Sequence, residues 1–264
     1  MSSCTTHVTS SASPATDHAV EARIIARGLL AGALGGVLAF VFARVFLEPV
    51  IDRAIAFEDE MSHMHGRGEH EHGVELFTRG VQANIGMGFG VLAFAVAMGA
   101  LLAVVFCVVY GRVTIPAQPL AALLAAGMLL CLNIVPALKY PPNPPAASLE
   151  ESIRQRTLLY LLMVVISAAL LVAAVYLRSR LVDRLGAWNA TVAGAGAYVV
   201  AVAVVMLVLP TIDETPEGFP ADVLYQFRLF SLGTQAVMWA AIGMFFAALM
   251  QRLLGSRERS SIPA

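Results

Sequence analysis

Six apolar runs, each about long enough for a helix to cross a bilayer, constrain this chain more than any other feature of its sequence. A hydrocarbon core about 30 Å thick takes roughly 20 helical residues. The runs 28–47, 85–110, 120–138, 157–177, 189–209 and 230–250 supply them, the last with an alternative register at 234–254. Together they hold 128 residues and one charge, Arg44, whereas the other 136 residues hold 34 charges. Because an open chain cannot leave backbone groups unpaired in lipid, the expected fold is all-α, a polytopic integral membrane protein with about six transmembrane helices. The expected layout is a polar, disordered cytoplasmic tail over 1–22, one transmembrane domain over 23–254 and a second cytoplasmic tail over 255–264. The first run exceeds the usual apolar core of a signal peptide and follows a polar tail, so retention is expected rather than cleavage.

Composition narrows the function classes. Charged residues make up 13% of the 264 and hydrophobic ones 58%, against roughly 25% charged in a soluble domain, which weighs against a water-soluble enzyme. A net charge of −1 carries no basic patch or stripe, so no nucleic-acid partner is expected. Cys4, Cys107 and Cys131 form no CxxC pair, hence neither a disulfide framework nor a zinc knuckle is encoded. The P-loop, HExxH and GxSxG patterns are missing too, and no enzymatic activity is expected.

Lys and Arg number nine on the side of the termini and seven on the other, which places both termini in the cytoplasm by the positive-inside rule. Fourteen of the 18 acidic residues then fall outside. Gly28, Gly32 and Gly36 form a stripe at four-residue spacing, and Gly86 and Gly90 repeat it. Small residues so spaced let helix backbones approach, within one chain or across a homo-oligomer.

The chemistry concentrates in the first external loop, 55–80, which contains HMHGRGEHEH. His63, His65, His70 and His72 with Glu69 and Glu71 combine imidazole and carboxylate, a donor set that suits a borderline divalent metal. Gly66, Gly68 and Gly73 oppose a helix there, so a loop wrapping an ion is expected. The bland alternative is a solvated, pH-sensitive loop. At the outer end of the first run, Glu48 and Asp52 follow Arg44 at helical spacing and are candidates for a cation entrance; snorkelling of Arg44 to the interface is the competing reading. Pro49 cannot donate to the carbonyl of Val45 and is expected to bend the helix. Asn84, Asn133 and Gln235 are candidates for a path through the membrane, against plain interhelical hydrogen bonding. The outer loops beginning at Lys139 and Thr211 are proline-rich and therefore stiff.

The segments RGLLAGALGGVLAFVFARVFLEPVIDRAI, VQANIGMGFGVLAFAVAMGAL, LKYPPNPP, QRTLLYLLMVV, WNAT and PEGFPADVLYQFRLFSLGTQ, spread from Arg27 to Gln235, resemble the CbtA family of proposed cobalt transporter subunits. That resemblance implies cobalt uptake for cobalamin synthesis beside a CbtB-like single-span subunit, and a fold commonly given five spans rather than six. The expectation is thus a transporter or transporter subunit in the cytoplasmic membrane. Its substrate would be a divalent metal, cobalt first, then nickel or zinc, with no resident cofactor. A membrane-anchored protein that binds metal without moving it is the alternative.

Overall fold

The computed structural model describes residues 14–64, 85–144, 150–212, 215 and 218–260. Helix α1 (Pro14–Phe42) runs through a π-helical turn (Ala43–Leu47) into α2 (Glu48–Met64). Then come α3 (Met87–Val109), α4 (Ala117–Leu129), a second π turn (Leu130–Ile134), α5 (Val135–Lys139), α6 (Glu150–Val208) and α7 (Ala221–Ser260). Among the described residues the regular structure is all helix, joined by short irregular connections, with one isolated bridge, Tyr110 to Val113, in the turn before α4. Two stretches expected to be irregular are helical: 14–22, given to the disordered tail, and 55–64, given to the external loop.

Among the described residues, five helical segments are long and apolar enough to cross a membrane: Ala19–Met61, Met87–Val109, Ala117–Lys139, Ile153–Val208 and Ala221–Gly255. The expected fourth and fifth runs fall together in the fourth segment. That segment folds back on itself at Gly186, whose φ of 77° and ψ of 164° belong to a region essentially reserved for glycine. Arg178 Nε donates to Thr191 Oγ1 at 2.8 Å, and Ser167 Oγ and Tyr198 Oη share a hydrogen bond of 2.7 Å. Arms 150–185 and 187–208 therefore lie antiparallel. Both ends of α6 reach the same end of the bundle, where the Tyr140 hydroxyl donates to Pro210 O and Arg156 to Pro141 O.

Helices α1, α3, α4 and α7 share the main core, with Phe106, Trp239, Ile242, Phe246 and Met250 at its centre. Residues such as Leu30, Val37, Phe89, Val165 and Leu207 are exposed on the outside, which suits an apolar solvent. The α6 hairpin has its own smaller core, joined to the bundle through Val135 and Tyr140. A third cluster, Val50, Ala54, Phe219 and Val223, closes the end of the bundle that carries α2.

The glycine stripe of α1 is a packing seam within the chain. A Cβ at Gly32 would stand 2.5 Å from Ala95 O and 2.8 Å from Val96 Cα, and one at Gly28 would stand 2.5 Å from Gly99 O. Its partner surface is Ala95, Gly99 and Ala103 rather than Gly90, which faces open space. Overpacking such a seam costs roughly 1–3 kcal/mol. Gly99→Ala should accordingly lower the unfolding temperature in detergent, because its Cβ would strike Gly28 O and come within 2.8 Å of Gly32 Cα, while Gly90→Ala leaves that temperature unchanged.

Candidate functional site

Polar groups converge between α7, the second π turn with α5, and the first arm of α6. The convergence begins at Pro136. Lacking an N–H, proline cannot donate to the carbonyl four residues back, and its ring crowds that carbonyl. The π turn Leu130–Ile134 widens the helix immediately before it, with Val135 N–H bonding Leu130 O. The freed carbonyl, Leu132 O, accepts the Tyr160 hydroxyl at 2.8 Å. Inside the same turn, buried Asn133 accepts the indole N–H of Trp239 at 2.8 Å.

On α7, Arg228, Ser231, Gln235 and Trp239 are spaced by three, four and four residues, which sets them along one face. Ser231 and Gln235 line a cavity of about 240 Å³ together with Asn133, Tyr140, Arg156 and Tyr160. Gln235 Oε1 is buried, with no hydrogen-bond partner among the described residues. A smaller cavity of about 40 Å³ adjoins it through the shared Tyr140 and Arg156, and is lined also by Asn143 and Arg228. Arg228 donates to Asn143 Oδ1 at 3.0 Å, and Lys139 to Thr211 Oγ1 at 3.1 Å. Burial pushes the Tyr140 phenol above its usual range, so it remains a donor, bonded to Pro210 O at 2.9 Å. A larger hollow of about 800 Å³ between α4 and α7 is lined mainly by Ala, Leu, Met and Gly and brings together no titratable side chains.

At the same end, α1 and α2 run antiparallel to α7. The Phe46 ring lies 5.7 Å from that of Phe230, while Arg53 bonds Gln226 at 2.5 Å and pairs with Asp222 at 3.3 Å. This register sets Glu48 between those two levels, at about the height of Arg228. The first π turn precedes Pro49 just as the second precedes Pro136, and so relieves the same missing donor. Glu48 is buried, 2% exposed, whereas Arg44 and Asp52 are exposed. The three therefore do not present one common surface.

The remaining candidates are distributed unevenly. Asn133 and Gln235 line the same cavity. His63 lies on α2, while His65, Glu69, His70, Glu71, His72 and Asn84 fall outside the described residues. Among the described residues there is no group of three or more His, Cys, Asp or Glu side chains placed to hold a metal. Tyr140, Arg156, Tyr160, Ser231 and Trp239 were not selected from sequence. Two signals pointed to them: a proline inside an apolar run, which orphans a carbonyl, and the heptad-like spacing of polar residues from Arg228 to Trp239.

The hydrogen bonds around this cavity carry stability. Losing one partner of a buried pair costs roughly 1–3 kcal/mol. Asn133→Leu, which strands the buried Trp239 N–H, and Tyr160→Phe, which strands Leu132 O, should each lower the unfolding temperature in detergent. Tyr225→Phe, at a site 67% exposed, provides the unaffected reference.

Comparison with curated proteins and with solved structures finds no match. A family model does match: CbtA, described as probable cobalt transporter subunit, over residues 21–251. That stretch takes in the helical bundle apart from the first turns of α1 and the last turns of α7, and with it both π turns and every residue lining the cavity. The chain, a multi-pass helical membrane protein, belongs to the CbtA family of probable cobalt transporter subunits.

Proposed function

We propose that this protein is the membrane-embedded subunit of a cobalt uptake system in the cytoplasmic membrane, supplying the metal for cobalamin synthesis. The family match over 21–251 carries the proposal. It crosses the membrane six times, with both termini cytoplasmic. The folding back of α6 at Gly186 and the shared end reached by both its arms support the even count. Nine Lys and Arg residues against seven support the orientation. A CbtB-like single-span subunit completes the transporter, as the word subunit in the family description suggests.

In this reading His63, His65, His70 and His72, with Glu69 and Glu71, capture the ion on the outer face. Neutral imidazole and carboxylate bind cobalt, nickel and zinc alike, so the loop concentrates metal and leaves selectivity to later steps. Asp52 and the buried Glu48 then draw the cation inward, and Asn84, Asn133 and Gln235 lie along its path. A charge buried inside a membrane protein is expensive unless it serves a pathway or a partner, and Glu48 is the buried carboxylate of this bundle among the described residues.

Cobalt accumulation in cells with and without the full-length protein, its small partner co-expressed, tests the function. Accumulation should rise with the protein and fall when all four loop histidines become alanine. Binding on the loop without any accumulation would instead identify a membrane-anchored metal buffer. Because only unprotonated imidazole binds metal, and free histidine titrates near 6.5, uptake should weaken as external pH falls through about 6 to 5. An undiminished rate at low pH would assign the capture step to carboxylates. For topology, a cysteine placed at Ala187 should react with an impermeant reagent only from the cytoplasmic side, and one placed at Pro142 only from outside.

A further inference from the structure

Three openings meet at one guanidinium. Arg156 lines the cavity of about 240 Å³ beside α7, the cavity of about 40 Å³ that adjoins it, and a groove of about 410 Å³ along the first arm of α6. Besides Arg156 the groove is formed by Ile153, Thr157, Tyr160 and Leu161. Ile153, Thr157 and Leu161 are exposed, so the groove faces the surrounding lipid, and Tyr160 is the wall it shares with the larger cavity. A hydrogen bond from Arg156 to Pro141 O holds the guanidinium at this junction. Arg228 lines the smaller cavity, which sets a second cationic side chain at the same place.

The height of the junction in the bilayer follows from three segments. Tyr140 lies two residues beyond the third apolar run, Arg156 one residue before the fourth, and Arg228 two before the sixth. All three therefore mark the boundary between hydrocarbon and water, where lipid phosphates lie and where basic pockets between helices hold head groups. The planar fork of guanidinium N–H donors matches phosphate oxygens. Ser231 and Gln235 line the same cavity further in. Gln235 is five residues inside the sixth run, roughly 7–8 Å deeper at about 1.5 Å per residue, which is the level of the ester groups beneath a phosphate. Its buried Oε1 has no hydrogen-bond partner among the described residues. Nothing there fixes which end of the amide faces the cavity, so its NH₂ can be turned to an ester carbonyl, as can the Ser231 hydroxyl.

We propose that a glycerophospholipid is bound here, its phosphate on Arg156 at the junction, its ester carbonyls at the level of Gln235 and Ser231, and one acyl chain along the groove of Ile153, Thr157 and Leu161. Charge selects the phosphate, and the adjoining apolar groove selects a lipid over a free anion, which would leave that groove empty. Lodged between α7 and the first arm of α6, the lipid fastens the α6 hairpin, whose small core is distinct from the main one, to the rest of the bundle. Filled this way, the cavity is closed to a cation. Upholding the lipid therefore removes Asn133 and Gln235 from the cation path and leaves the rest of the transport reading untouched.

Native mass spectrometry of the purified full-length protein, stripped of lipid in detergent, tests the site with dioleoylphosphatidylglycerol as the probe. One copy should bind per chain, saturably. Dioleoylglycerol, which lacks the phosphate, should bind at least about tenfold more weakly, the size expected for losing a charge-assisted contact. Arg156→Gln should weaken phospholipid binding by about as much, while Arg154→Gln, at an exposed position of the same helix, leaves it unchanged. Because Arg156 also ties down Pro141, a second variant guards against a loss of folding: Thr157→Trp fills the groove, keeps Arg156, and should weaken binding as well. Equal binding of the two lipids overturns the site, as does undiminished phospholipid binding in either variant that remains monodisperse on size exclusion. An equal loss with Arg154→Gln would mark general surface attraction and overturn it too. Displacement of the bound lipid by millimolar inorganic phosphate would identify a free-anion site and overturn the lipid assignment.

Discussion

Lipid offers no hydrogen bonds, so each backbone group freed inside the membrane must find a partner within the protein. Much of this structure follows from how that demand is met at two prolines. Pro49 and Pro136 each sit just past a π turn, Ala43–Leu47 and Leu130–Ile134. The wider turn takes up the pyrrolidine ring without ending the helix. At Pro136 the orphaned Leu132 carbonyl is then satisfied by Tyr160 from another helix. A local defect in one helix thereby becomes a tie between two, and the α6 hairpin is fastened to the bundle where that tie is made.

Dispersion does for the apolar helices what hydrogen bonds do for the irregular ones. Hydrocarbon outside is as comfortable for Leu and Val as a protein core, so large side chains gain little by turning inward. Close contact is gained instead by removing side chains. Gly28, Gly32 and Gly99 bring α1 and α3 to backbone contact, while the surfaces holding Val37, Leu38 and Val104 face outward. On the opposite flank α1 meets α7 through Gly35 against Met238 and Ile242, and Arg27 on α1 donates to Leu249 O. With α1 held on both flanks, the register that brings Glu48 level with Arg228 is set along its whole length.

Three segments that carry the resemblance to CbtA meet at one place. LKYPPNPP supplies Tyr140 and Asn143, QRTLLYLL supplies Arg156 and Tyr160, and VLYQFRLFSLGTQ supplies Arg228, Ser231 and Gln235. They are tied to one another by Arg156 to Pro141 O and Arg228 to Asn143, and Lys139 of the first reaches Thr211, which follows α6. The polar cavity is held open by this framework, which explains how a bundle so rich in alanine and leucine keeps a polar hollow near one end.

Membership of the bilayer was legible in the sequence, because transfer into hydrocarbon depends on the composition of each segment taken by itself. The helical runs, the α1 glycine seam and the helix disturbance at Pro49 could be read for the same reason: each is a property of residues within a turn or two of one another. Asn133 and Gln235 were visible as polar residues in apolar runs, but nothing local told that they border one cavity. That depends on contacts such as Trp239 to Asn133, 106 positions apart. The reversal at Gly186, the pairing of Gly28 with Gly99 rather than with Gly90, and the burial of Glu48 beside exposed Asp52 are likewise decided between helices. Composition determined which segments enter the membrane. Only the packing of one helix on another, which sets register and leaves or fills space, decided where the polar groups meet.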